Sequence, residues 1–155
     1  VREEVVSSLY EAFDEGVNEK MSREVVLGYL KKTGVSSDAI SAYAAIRKEK
    51  GHYQTHVQFV DDVVSDISRK SDVPAEQVWR ALVGGKLSGQ SIGPDHREFF
   101  AEFFYPSFLQ ELMRAKSHKD VSHMMLKMRL RRESPEMSDA EFDAVVAGWE
   151  IEAAA

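Results

Sequence analysis

Apolar side chains along this chain recur at spacings of three and four, and two-residue alternation is nearly absent. That period places one stripe of each segment on the core side of a helix, whereas a half-buried strand needs alternation. Turn-forming residues cut the pattern into short pieces, and no Pro- or Ser-rich linker divides it. The pattern predicts one all-α compact domain of about eight or nine short helices, spanning 1–152, with two similar helix-turn-helix-like hairpins. The closing Ala153-Ala154-Ala155 is set apart as a tail without functional weight.

The individual helices follow from caps and breakers. A first covers 2–14, with Val5, Val6, Leu9, Ala12 and Phe13 on one side. Ser22 is read as the N-cap of a second, whose buried face is Val25, Val26, Tyr29 and Leu30 and whose end is Gly34. Ser36 or Ser37 caps a third with Ile40, Tyr43, Ala44 and Ile46 inward, stopping near Gly51. A fourth covers 55–70 through Val57, Phe59, Val60, Val63, Val64 and Ile67. Pro74 suits the first turn of a fifth, which carries Val78, Trp79, Leu82 and Val83 and ends at Gly84-Gly85. Residues 86–94 read as a loop, Asp95 opens a sixth helix, and Pro106 splits the run that follows. Helices over 119–132 and from Ser138 to Trp149 complete the chain, with Pro135 between them. Ser138 and Glu141 form a capping box, and Met137 is placed as its staple residue.

The window "DISRKSDVPAEQVWRALVGG", Asp66 to Gly85, has the features of a DNA-reading hairpin. Ser68 is the small residue where two helices touch, and Asp72 is a left-handed-tolerant residue at the turn. Ile67, Val73, Val78 and Leu82 are apolar anchors that fix the angle between the helices. Over these twenty or so residues the chain resembles the helix-turn-helix of lactose-repressor-type regulators. The resemblance implies that Gln77 and Arg80 face base edges and that Arg69, Lys70 and Lys86 contact phosphates. Glu76 would bring the wrong charge to the groove.

The same pattern stands 38 residues earlier in "VVLGYLKKTGVSSDAISAYAA", Val25 to Ala45. Val25 matches Val63, Val26 matches Val64, Lys32 matches Lys70, Val35 matches Val73 and Ile40 matches Val78. This copy has Gly34 at the turn but bulky Leu30 where Ser68 stands. A duplicated hairpin used for packing accounts for both copies together.

Charge is uneven. The net charge is −6, which argues against a general nucleic-acid binder. Residues 134–155 hold acids and no Lys or Arg, whereas 112–132 are rich in cations. In "DVSHMMLKMRLRR" Val121, Met124, Met125 and Met128 share one side, while Lys127, Arg129, Arg131 and Arg132 crowd the end. In "REFFAEFFYPSFLQELM" the aromatic face of Phe99, Phe100, Phe103, Phe104 and Phe108 exceeds what a domain of this size hides easily. "HYQTH" sets His52 and His56 one helical turn apart, a weak metal pair lacking an evident third ligand.

Several chemistries are excluded. Without cysteine there is no disulfide, thiolate metal site or cysteine nucleophile, which favours a reducing compartment, the cytoplasm. "FDEGVNEKMSREVV" fails as a calcium loop because Glu19 replaces the turn glycine and Val25 the closing carboxylate. No nucleotide loop, nucleophile elbow or metalloprotease motif is found, and no apolar run reaches membrane-spanning length. The sequence therefore predicts a non-catalytic regulatory or adaptor domain, with no cofactor and no membrane. It binds a protein partner or a second copy through the aromatic and basic faces. The alternative is the helix-turn-helix regulator, with nucleic acid as partner.

Overall fold

A computed structural model describes residues 10–50, 53–88 and 96–155. These form eight helices and no strand. In chain order they are α1 (Glu11–Lys32), α2 (Ser37–Lys50), α3 (Gln54–Ser71), α4 (Ala75–Leu87), α5 (Arg97–Phe103), α6 (Phe108–Arg114), α7 (His118–Glu133) and α8 (Asp139–Ala154).

The expected break between a first helix and a second starting at Ser22 does not occur. α1 runs through it for 22 residues, and Ser22 is an exposed interior residue rather than a cap. No proline interrupts the segment, Glu11 and Asp14 suit its positive N-terminus, and Lys31 and Lys32 suit its C-terminus. Gly16 is the point where α1 meets α3: a Cβ there would lie 2.5 Å from the His56 carbonyl oxygen. The part of the first expected helix over residues 1–9 lies outside the described residues, as do Gly51 and Asp95.

α3 is the centre of the fold and packs against α1, α2, α4 and α7. Its Val57, Phe59, Val60, Val63 and Val64 are all buried, at the helical spacing read from the sequence. The second half of the core comes from the short α5–α6 pair and the two final helices. Pro106 lies between α5 and α6, and the sharp change of direction there buries Phe104, Tyr105, Phe108, Leu109 and Leu112 against Val121, Met124, Met128 and Phe142. Phe104 and Phe108 stack with centroids 4.1 Å apart.

Both expected hairpins form. The turn of the first contains Gly34 at φ 76 and the turn of the second Asp72 at φ 58, and these residues are 38 apart. α2 begins at Ser37 and α4 at Ala75, again 38 apart. Ser68 closes the second turn by donating to the Val73 carbonyl at 2.6 Å.

The copies differ in burial. Val63 and Val64 are buried, but Val25 is 71% exposed and Tyr29 66% exposed. α2 buries none of its described side chains, and Ile46 and Ala44 face solvent instead of the core. The first hairpin is therefore not the buried packing element that its period suggested. A helical period marks an amphipathic face; what covers that face is decided elsewhere in the chain.

Two ends also move. α4 continues past Gly84-Gly85 to Leu87, and its last N–H bonds are completed when Ser88 N–H donates to Gly84 O. α8 continues past Trp149 to Ala154. Ser138 caps α8 as read: its hydroxyl accepts from Glu141 N–H at 3.3 Å and the Glu141 carboxylate accepts from Ser138 N–H at 2.9 Å. Ser117 and Asp120 cap α7 in the same way.

Candidate functional site

A groove of about 770 Å³ opens between α1, α3, α4 and α5. Phe13, Val63, Ile67, Val78, Leu82 and Phe99 supply apolar lining, and Phe100, Phe108 and Leu112 close its floor. Ile67, Val73, Val78 and Leu82 are the residues that the sequence marks as anchors of the second hairpin. Ile67, Val78 and Leu82 pack against the core, whereas Val73 at the turn is exposed, and the outer edges of all four form the wall of the groove. Phe99 continues that wall outward and is 53% exposed, stacked on Phe103 at 5.2 Å. At the polar rim Lys86 bonds Asp14 at 2.9 Å, so the two charges cancel.

The other phenylalanines are used differently. Phe104 and Phe108 are core residues, while Phe100 and Phe103 are partly buried against it. Of the five aromatic residues expected at a contact face, Phe99 is the one that presents most of its ring outward.

The cations expected at contact faces are nearly all engaged within the chain. Lys127 is buried, bonds Glu111 at 2.8 Å and lies over the Tyr105 ring. Arg129 pairs with Glu133 at 2.9 Å on the same helix face. Arg131 donates to the Met137 carbonyl, pairs with Asp139 and lies over Phe142, tying α7 to the start of α8. Arg132 reaches Asp66 at 3.3 Å, and Arg69 holds the same carboxylate at 2.8 Å. Asp66 is almost fully buried, so both arginines neutralise one internal charge. The basic run and the acidic closing segment thus partly neutralise each other, through Arg131 and Asp139.

The residues implied by the helix-turn-helix resemblance are placed as follows. Lys70 donates to the Phe103 carbonyl and lies over the Phe103 and Phe104 rings; burial lowers its ammonium below the usual lysine range, with Asp66 opposing. Arg80 is exposed and paired with Glu76 one turn earlier. Lys86 is held by Asp14, and Gln77 lines the apolar groove. Releasing Arg80 from Glu76 costs only about 0–1 kcal/mol, but Glu76 then remains beside any phosphate. Releasing Arg69 and Arg132 leaves a buried carboxylate unpaired, which costs far more.

His52 lies outside the described residues. His56 is buried, its Nε2 3.6 Å from Glu15, with the Tyr53 ring edge-on at 5.4 Å. Among the described residues no three His, Asp or Glu side chains gather as a metal site, and no helix is long and apolar enough to cross a membrane.

Comparison with protein-family models, with curated proteins and with solved structures finds no match to this chain.

Proposed function

We propose that this chain is a non-catalytic binding module, which receives the apolar face of a helix from a protein partner in the groove between α1, α3, α4 and α5. The observation that carries this reading is the continuity of the groove's apolar wall with the exposed ring of Phe99. Contiguous exposed apolar surface of this kind is what helix-in-groove recognition uses. The paired rim charges Lys86 and Asp14 leave the groove without net charge, so its occupant is recognised by shape and apolar area. The bonded state of Arg69, Lys70 and Lys86 supports a protein rather than a nucleic acid as partner.

The test is selection of amphipathic helical peptides against the folded chain, followed by anisotropy titration of the best binder. Phe99→Ser and Val78→Asp should each weaken binding by about tenfold or more, as loss of a buried apolar anchor does. Arg80→Ala and Arg129→Ala, outside the groove, should leave it unchanged. Equal affinity for the Phe99→Ser and parent chains would sink the reading.

A further inference from the structure

We infer that the carboxyl ends of α3 and α7 form a site for a dianionic oxyanion, inorganic phosphate or a phosphate monoester, held by Arg69, Lys70 and Arg132. None of the three lines the groove between α1, α3, α4 and α5. Arg69 and Lys70 stand in the last turn of α3, and Arg132 in the last turn of α7. Asp66 brings the two arginines together: Arg69 Nη2 and Arg132 Nε both reach its Oδ1, at 2.8 and 3.3 Å. Lys70 is fixed by other means, donating to the Phe103 carbonyl at the end of α5 and lying over the Phe103 and Phe104 rings.

The charges there do not balance. Asp66 is buried and sets one negative charge against three cations. Among the described residues no other acid lies within ion-pair distance of Arg69, Lys70 or Arg132. The Phe103 carbonyl is neutral, so bonding to it leaves the charge of Lys70 uncompensated. The neighbouring cations of α7 bring no spare acid, because Arg131 takes Asp139 and Arg129 takes Glu133. The excess is felt at Lys70 itself. Burial lowers its ammonium below the usual lysine range, Asp66 opposes, and Arg69, Arg131 and Arg132 each lower it further.

Donors remain for a ligand. A guanidinium carries five N–H groups and an ammonium three. Asp66 is held through Nη2 of Arg69 and Nε of Arg132, and the two side chains are 47% and 37% exposed. An anion can therefore bind their outer N–H groups without taking either arginine from the buried carboxylate. Two guanidiniums and an ammonium, each already anchored by the fold, suit the several oxygens of a phosphate. The excess of two positive charges favours a dianion over a single carboxylate.

The test is phosphorus NMR of inorganic phosphate and of phosphoserine, each titrated with the chain at fixed ionic strength and at about pH 7.5, where both are mostly dianionic. Tighter binding of the free ion points to a small-molecule ligand, and tighter binding of the ester to a phosphorylated side chain. Acetate, with one charge, should compete only at about tenfold higher concentration or more. Lys70→Met keeps an apolar stem over the two rings, and Arg69→Ala leaves Arg132 on Asp66. Each should weaken phosphate binding by about tenfold, the usual effect of losing a charged hydrogen bond. Arg129→Ala removes a cation that Glu133 already occupies, and should change binding by less than about twofold. Circular dichroism will show that each variant is folded. No binding by the parent chain, undiminished binding by Lys70→Met or Arg69→Ala, an equal loss in Arg129→Ala, or acetate competing as well as phosphate would each overturn the proposal.

Discussion

Gly16 of α1 rests directly on the carbonyl of His56 in α3, with no room between them for a methyl group. A Cβ at this position would meet the His56 oxygen at 2.5 Å and a Val60 methyl at 2.8 Å. Because the first of these is backbone, a rotamer change cannot relieve the clash. Gly16→Ala must push the two central helices apart, even though alanine is the better helix former. The expected cost is about 2–3 kcal/mol, at the upper end for overpacking a well-filled core. Urea unfolding will measure it, and an unchanged midpoint would mean that α1 and α3 do not meet there.

The five phenylalanines of the aromatic run should separate into two groups. Phe108 is fully buried and stacked on Phe104, so Phe108→Ala should cost about 3–5 kcal/mol. Phe99 keeps half its surface in water, and Phe99→Ala should cost under about 1 kcal/mol. Chemical denaturation of the two variants decides between a core role and a surface role. Equal losses would contradict the assignment of Phe99 to the groove wall.

Asp66 makes a prediction about coupling. With Arg69 or Arg132 removed singly, the remaining arginine still neutralises the buried carboxylate, so each alanine variant should lose about 1 kcal/mol. The double variant leaves the charge alone and should lose about 3–5 kcal/mol, more than the sum of the singles. In an Asp66→Asn background the three arginine variants should become close to neutral. Additive losses in the parent background would show that Asp66 is solvated rather than held by the pair.

What the sequence makes legible here is local. The α3 stripe, the Ser138–Glu141 box, the left-handed turn at Asp72 and the break at Pro106 each depend on a few neighbouring residues, and each is found. The Ser117–Asp120 box carried the same kind of signal, with Asp in place of the commoner Glu, and was open to the same reading. Legibility fails where the deciding partner is distant. Nothing in the residues around Gly16 shows that His56 will lie beside it. Val25 and Tyr29 look buried because a period reports a face without reporting its cover. The cations look free because Lys86 finds Asp14 across 72 residues and Lys127 finds Glu111 across 16. The groove was half visible: its wall residues stand out as anchors, but only the packing of α5 against the hairpin turns their outer edges into a cavity.

Tyr105 gives the chain a defined response to alkali. Its ring is buried and stacked on Phe142 at 5.6 Å. Burial first, and then the negative charge of Glu111, pushes its hydroxyl far above the ordinary tyrosine range. In the unfolded chain the same hydroxyl releases its proton near pH ~10. Above that pH the folded state binds more protons than the unfolded one, so stability must fall as pH rises. The contribution is fully present below pH ~10 and is lost progressively towards the raised folded value. Tyr10, raised by burial in the same direction, adds to the trend. Tyr105→Phe removes one of the two hydroxyls that burial raises, so its alkaline limb should be shallower by about 1.4 kcal/mol per pH unit. Urea midpoints of the parent and variant chains, followed across that range, test this directly. Lysine deprotonation affects both chains alike and cancels in the difference. Parallel curves would mean that Tyr105 ionises as readily in the folded chain as in the unfolded one, and would overturn its burial between α6, α7 and α8.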